Sequence, residues 1–205
     1  MDPKKKERFK LKKNKKFTVR SYVLIGMMSA LSYCLMFLNF PLPPFPSYLQ
    51  VDFSDVPALL AAFILGPVAG ILVELIKNII DYFLTGSESG IPVGHIANMI
   101  AGVSFILPTY FIYNKIKTKK GMIFGLCVSV IMMTSLLSLF NYFVLLPVYY
   151  ALMNLSIEGS ILKDTIVSAI IPFNLLKGVI ISILFILVFS KMQVWITKQM
   201  QYRNI

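Results

Sequence analysis

Long runs of apolar residues, separated by short polar stretches, make up most of the chain after Arg20. A helix needs about 20 mainly apolar residues to cross a bilayer, and this length divides the chain into six candidate spans. The spans are predicted near residues 20–39, 54–66, 67–85, 92–114, 121–147 and 165–190. The second span is short, and Gly66-Pro67 leaves almost no loop before the third. The pattern therefore predicts an all-α integral membrane protein, a compact bundle of six transmembrane helices.

The composition agrees with a membrane location. Apolar residues make up 57 % of the chain and charged residues 14 %, and the mean hydropathy is +0.76. Soluble domains have fewer apolar residues and about 25 % charged ones. Cys34 and Cys127 both fall within apolar runs, so they do not indicate an extracellular disulfide framework.

The net charge of +11 is concentrated near the amino terminus, where ten of the twenty basic residues precede Ser21. Once six spans alternate across the membrane, the basic residues of 115–120 and of the tail from Lys191 fall on the same side as this terminus. Loops rich in Lys and Arg stay in the cytoplasm. The charge pattern thus predicts a basic cytoplasmic tail over 1–20, a single membrane domain over 21–205 and both termini in the cytoplasm. A tail that anchors at anionic lipid explains these charges without nucleic acid as a partner.

The first outer loop, residues 40–53, contains four prolines within six residues, together with aromatic rings. Proline fixes its own φ and disfavours helix in the residue before it, so this loop is stiff and extended. It is either a rigid linker or a lid over the helix ends. The aromatic rings favour the lid, because they would otherwise lie exposed to water.

Motifs for enzymatic chemistry are missing from the sequence. His95 is the single histidine, which leaves no His-based metal cluster and no Ser-His-Asp triad. The patterns HExxH, GxSxG and GxxxxGK[ST] do not occur. We therefore expect neither an enzyme nor a bound cofactor, and we look for function among the polar residues of the apolar spans.

Glu74, Lys77 and Asp81 form one polar stripe on the third span. Their spacing of i, i+3 and i+7 places them on one face of a helix. They can neutralise one another as a structural ion-pair stripe, or they can contact a ligand or a partner.

Lys177 stands near the middle of the last apolar run, where an ammonium group costs about 2.5–3.5 kcal/mol. Its own helix offers no carboxylate within a turn, and Asn174 shares its face. The charge must be compensated either by an acid of another helix, such as Glu74 or Asp81, or by a bound polar ligand.

Asn98 and Asn141 lie on two other spans and fall, like Asn174 and Lys177, in the outer half of the membrane when helix directions alternate. Asparagines in membranes commonly hold helices together, but these four side chains can also meet beneath the loop 40–53. Amides both donate and accept hydrogen bonds, whereas lysine only donates. The set suits a flat, partly apolar ligand that carries donors and acceptors along one edge.

Gly26 and Ala30 form a small-xxx-small pair on the first span. Such a pair allows another helix to approach closely. The approaching helix can belong either to the same bundle or to a partner protein.

Several motifs together resemble the riboflavin-binding S component of energy-coupling factor (ECF) vitamin transporters. The motifs are Val51-Asp-Phe-Ser-Asp-Val-Pro-Ala58, Leu65-Gly-Pro-Val-Ala-Gly70, Lys77-Asn78, Gly94-x-x-Ala-Asn98 and Phe173-Asn-Leu-Leu-Lys-Gly178. The resemblance extends over most of the chain after Arg20. His95 departs from it, since we expect relatives often to carry glutamate there.

The resemblance implies a six-helix protein that captures riboflavin from outside and has no ATPase activity of its own. A membrane-embedded T component and two cytoplasmic ATPase subunits would be its partners, with ATP hydrolysed only by the ATPases. It implies that Gly26 and Ala30 contact the T component. The flavin contacts that it implies are Leu49, Gln50, Asn98, Asn141, Asn174 and Lys177. Two other classes remain as alternatives, a stand-alone secondary transporter of a flat aromatic vitamin and a membrane scaffold without a ligand.

Overall fold

The computed structural model of the protein describes residues 17–87, 90–152, 154 and 159–203. Most of the predicted basic tail, residues 1–16, lies outside this part. The helices are α1 (Val19–Phe37), α2 (Asp55–Leu65), α3 (Pro67–Thr85), α4 (Val93–Ile116), α5 (Lys119–Phe140), α6 (Leu146–Leu152), α7 (Gly159–Thr165) and α8 (Ile171–Arg203). Two strands of two residues each, β1 (Phe40–Pro41) and β2 (Gln50–Val51), pair antiparallel.

Two π-helical turns join the later helices into longer ones. The turn Asn141–Leu145 connects α5 to α6, and the turn Ile166–Ile170 connects α7 to α8. The described residues thus form six continuous helical stretches, close to the six predicted spans. Four of the stretches are long and apolar enough to cross a membrane, those over Val19–Phe37, Val93–Ile116, Lys119–Leu152 and Gly159–Gln193.

Each π-helical turn is followed by a proline at the second position of the next helix, Pro147 in α6 and Pro172 in α8. Proline cannot donate the usual i→i−4 hydrogen bond, and its ring crowds the carbonyl of that turn. A widened turn before it relieves both problems and keeps the helix continuous. Single π-turns of this kind are frequent at functional sites.

The short helix α2 lies at the centre of the bundle. Ten of its eleven residues are buried, and it packs against α1, α3, α4 and α8. A helix that is apolar on all sides is expected to be surrounded by others. Gly66, with φ of +107°, ends α2 and turns the chain directly into α3. Gly70 allows α3 to approach closely, since a Cβ atom there would lie 2.8 Å from Cβ of Ala62.

Aromatic rings fill the core next to α2. Phe63 is fully buried, and its ring centroid lies 4.9 Å from that of Tyr113, 5.5 Å from Phe185 and 5.6 Å from Phe189. Rings at such separations contribute packing energy beyond the area they bury. These aromatic rings form an apolar core, separate from the buried polar residues Lys77 and Lys177.

The predicted partner-contact residues Gly26 and Ala30 are both exposed on α1. A Cβ atom placed on Gly26 would meet no atom within 4 Å. Within the described part of the chain, this small-residue face is therefore not used to pack the bundle.

Candidate functional site

A cavity of about 600 Å³ lies between the loop 40–53 and the helices α4, α5 and α8. Its volume is in the range of small-molecule sites. Its lining includes all six of the residues that the sequence pointed to, namely Leu49, Gln50, Asn98, Asn141, Asn174 and Lys177. The structure thus brings together side chains from one loop and three helices.

Lys177 forms an ion pair with Asp52, a residue of the short connection between β2 and α2. Nζ lies 3.2 Å from Oδ2 of Asp52, and the two side chains are 7 % and 5 % exposed. A longer contact of 3.5 Å joins Nζ to Oδ1 of Asn98. Of the two alternatives for Lys177, an acid of another helix or a bound ligand, the structure shows an acid, but it comes from the loop 40–53 and is neither Glu74 nor Asp81. The loop supplies the acid because it folds inward beside α8.

Asp52 is held as a carboxylate by its surroundings. Its Oδ1 accepts hydrogen bonds from the backbone N–H of Ser54, at 2.9 Å, and from the Ser54 hydroxyl. Burial alone would raise the pKa of Asp52, but the charges of Lys177 and Lys77 and the hydrogen bonds from Ser54 outweigh it and lower the pKa to about 2.

Lys77 lies behind this pair and is fully buried among protein partners. Its Nζ contacts Oδ1 of Asp55 at 2.7 Å, Oε2 of Glu74 at 2.9 Å and the hydroxyl of Ser54 at 2.6 Å. The contacts with Ser54 and Asp55 are hydrogen bonds, and the contact with Glu74 is an ion pair. The predicted pair of Glu74 with Lys77 is confirmed, and Lys77 does not line the cavity.

Asp81, the third member of the predicted stripe, pairs with another helix instead. Its Oδ2 lies 3.0 Å from Nε2 of His95, and both residues line the cavity. The ring of Tyr82 packs edge-on against His95 with centroids 5.6 Å apart. This pair and the neighbouring Gly94 form a second polar region of the cavity, beside the first turn of α4.

Asn141 and Asn174 each use one amide hydrogen within their own helix. Asn141 donates from Nδ2 to the carbonyl of Leu137, and Asn174 donates to that of Ile170, both at 2.8 Å. These bonds fix the orientation of the two amides. The amide oxygen and the second N–H of each are then left for a ligand. Asn141 begins the first π-helical turn, and the second ends four residues before Asn174.

Aromatic side chains surround the loop side of the cavity. Phe45 of the loop packs edge-on against Phe173 of α8 with centroids 5.6 Å apart. Burial raises the pKa of the Tyr48 phenol, and the nearby phenols of Tyr150 and Tyr149 raise it further. These contacts hold the loop against the end of α6 and the start of α8, an arrangement that is compatible with a lid.

The arrangement can bind a small, largely uncharged molecule. Lys177 supplies a donor, and the two oriented amides supply acceptors and donors. Leu137, Leu145 and Phe173 provide an apolar wall. Among the described residues, no group of three His, Cys, Asp or Glu side chains is placed to hold a metal ion.

Sequence reasoning missed Asp52, Asp81 and His95 as cavity residues. Asp52 was visible as an acid near the end of the outer loop, on the side of the membrane where Lys177 was predicted to lie. His95 precedes Asn98 by three residues and therefore shares its face of α4. Both signals were in the sequence, but the first depends on how the loop packs against α8 and the second on how α3 packs against α4.

Known proteins resemble this chain over nearly its whole length. Residues 20–189 match the family described as ECF transporter, substrate-specific component. "Riboflavin transporter FmnP" of Bacillus subtilis is 46 % identical over 88 % of this chain and 96 % of its own. "Riboflavin transporter RibU" of Staphylococcus aureus is 48 % identical over 83 % of this chain and 88 % of its own. A solved structure reported under "Structure and mechanism of the S component of a bacterial ECF transporter" aligns with a TM-score of 0.74 and 45 % identity, covering 86 % of this chain and 96 % of that one.

Proposed function

The chain belongs to the family of substrate-specific components of ECF transporters, and from this premise we propose that it captures riboflavin for uptake across the cell membrane. The observation that carries the proposal is the cavity lined by Lys177, by the asparagines Asn98, Asn141 and Asn174 and by the outer loop. The relatives named as riboflavin transporters support the choice of ligand.

The isoalloxazine ring of riboflavin matches the polar and apolar parts of this cavity. Its pyrimidine edge carries two carbonyl groups with an imide N–H between them. Lys177 can donate to a carbonyl, and the amide oxygen of Asn141 or Asn174 can accept from the imide. The opposite, dimethylbenzene edge requires an apolar surface, which Leu137 and Phe173 provide.

The ribityl chain of riboflavin then extends toward the second polar region. Asn98 lies about 4.5 Å further along the α4 axis than His95, because a helix rises 1.5 Å per residue. A ligand that reaches from Lys177 past Asn98 therefore arrives at Asp81 and His95. Hydroxyl groups can donate to the Asp81 carboxylate, and Gln50 of the loop also lies on the cavity wall.

Titration of the detergent-purified protein with riboflavin, followed by quenching of flavin fluorescence, tests this proposal. Lys177→Ala should weaken binding by about tenfold or more, since a hydrogen bond to a charged group contributes about 1.5–3 kcal/mol, and Asn141→Ala should weaken it by about fivefold, since a neutral hydrogen bond contributes about 1 kcal/mol. Lys115→Ala, at the exposed end of α4, is the matched control and should bind as the native protein does. A native protein that fails to quench riboflavin would contradict the proposal.

We further propose that this chain works in a complex with a membrane-embedded T component and two ATPase subunits, which supply the energy for uptake. In this arrangement the chain spans the membrane six times with both termini in the cytoplasm. The exposed face at Gly26 and Ala30 offers the close approach that a partner helix needs.

Leucine substitutions test the partner contact separately from binding. Gly26→Leu and Ala30→Leu should abolish riboflavin uptake by cells while leaving flavin quenching by the purified protein intact. Val19→Leu, also exposed on α1, is the control. Uptake by vesicles that contain this chain without any ATPase would instead favour a secondary transporter. Reporter fusions at both termini test the topology.

A further inference from the structure

Among the residues that the structure describes, Lys177 has two hydrogen-bond partners for its three donors. Its ammonium carries three hydrogens; one is directed to Asp52 at 3.2 Å and one to Asn98 at 3.5 Å. Among the described residues these are its hydrogen-bond partners, and the residue lines the cavity. The third hydrogen therefore remains for a ligand, and its direction depends on where the first two point.

The position of the Asp52 side chain is set by contacts other than the one with Lys177. It comes directly after β2, whose Val51 pairs with Phe40, and it precedes the first turn of α2. Its Oδ1 is occupied by the backbone N–H and the hydroxyl of Ser54, which leaves Oδ2 for Lys177.

Ser54 is fixed in turn by the buried core. Its hydroxyl accepts from Nζ of Lys77 at 2.6 Å, and Lys77 also contacts Asp55 and Glu74. Its carbonyl accepts a hydrogen bond from the Ser32 hydroxyl of α1. The carboxylate of Asp52 is thus attached, through Ser54 and Lys77, to α1, α2 and α3, whereas Lys177 belongs to α8.

We propose that Asp52 is a positioning residue, which aims the free N–H of Lys177 at the ligand and neutralises the Lys177 charge while the cavity is empty. Asp52 has no need to contact the ligand in this role. An ammonium without this partner would turn toward other acceptors, such as Asn98, and the ligand would have to displace it. This inference rests on the proposed capture of riboflavin and deepens it.

A double-mutant cycle on the purified full chain tests the role, with riboflavin affinity as the readout. Asp52→Asn should weaken binding by about tenfold or more. In the Lys177→Met background the same substitution should change the affinity by less than about twofold, because the lysine through which it acts is gone. Asp52→Glu, which keeps the charge, should recover part of the affinity lost in Asp52→Asn.

Asp55→Asn is the matched control, since Asp55 is an equally buried carboxylate of the same cluster that contacts Lys77 instead of Lys177. Any loss of affinity that it causes should persist in the Lys177→Met background. A merely structural role for Asp52 would give this same additive behaviour, and that result would overturn the proposal.

The outcomes separate this proposal from the one on which it rests. No quenching of riboflavin by the native protein would overturn both proposals. Native binding with an unchanged affinity in Asp52→Asn would overturn only the positioning role. If Asp52→Asn fails to fold, the positioning role is tested with the variant Asp52→Asn/Lys177→Met. Removing both charges avoids an unpaired buried ion, so this variant is expected to fold. Its affinity should equal that of Lys177→Met, and a further loss would contradict the proposal.

Discussion

The two buried lysines predict opposite phenotypes when each is replaced by methionine. Lys77 is fully buried, and its Nζ lies 2.6–2.9 Å from Ser54, Asp55 and Glu74. Methionine keeps most of the volume but removes the charge, so the two carboxylates are left buried without a cation. Breaking a buried ion pair costs about 3–5 kcal/mol. Lys77→Met should therefore greatly lower the free energy of unfolding.

Thermal unfolding of the detergent-purified protein measures this loss. For a chain of this size, 1 kcal/mol shifts the midpoint by about 2–4 °C, so Lys77→Met should melt roughly 6–20 °C below the native protein. Lys115→Met, at an exposed position of α4, should melt within about 2 °C of it. Lys177→Met should lose less stability, since its partner Asp52 keeps its bonds to Ser54, but should lose most of its riboflavin affinity.

A triple variant checks that the loss in Lys77→Met is electrostatic. Combining it with Asp55→Asn and Glu74→Gln removes the unpaired charges and should raise the midpoint above that of Lys77→Met alone. The reasoning is refuted if Lys77→Met melts together with the native protein. It is also refuted if Lys77→Met and Lys177→Met lose stability and affinity in equal proportion.

Three further expectations concern other parts of the structure. Gly102→Ala should lower stability by about 1–3 kcal/mol, because its methyl group would overlap the carboxyl group of Glu74, whereas Gly159→Ala, where nothing lies within 4 Å, should melt as the native protein does. Asp81→Asn should weaken the binding of riboflavin several-fold but leave the binding of lumiflavin, which lacks the ribityl chain, unchanged. Because the pKa of Asp52 is lowered from 3.8 to about 2, its ionised form stabilises the fold fully above about pH 4 and this contribution is lost as the pH falls toward 2. The difference in melting midpoint between the native protein and Asp52→Asn should accordingly stay constant from about pH 5 to 8 and shrink below about pH 4.

The bounds of two helices could be predicted from the lengths of the apolar runs and from the glycines and prolines that flank them. The predicted spans 67–85 and 92–114 agree with α3 and α4 to within two residues. The π-helical turn at Asn141 could not be predicted, since one inserted residue scarcely changes the apolar pattern of a long span. It nevertheless sets the orientation of a side chain in the cavity.

Ion-pair partners were harder to predict, because they depend on which donors are already used. Asp81 lies one turn beyond Lys77 on α3 and looked like its partner. The Lys77 ammonium is already surrounded by Asp55, Glu74 and Ser54, and Asp81 pairs with His95 of α4 instead. Lys177 and Asp52 are separated by 125 positions in the sequence, and only the folded outer loop brings them together.

The charge balance of the cavity predicts which flavin it prefers. Lys177 is already compensated by Asp52, so a ligand has no need to bring a negative charge. At the other end, Asp81 presents a carboxylate beside His95. A phosphate on the ribityl chain, with a charge of about −2 at pH 7, would meet this carboxylate. Riboflavin should therefore bind at least about tenfold more tightly than riboflavin 5′-phosphate in parallel quenching titrations, and Asp81→Asn should narrow that ratio. Equal or tighter binding of the phosphate by the native protein would contradict this account, because like charges in a buried site repel more strongly than in water.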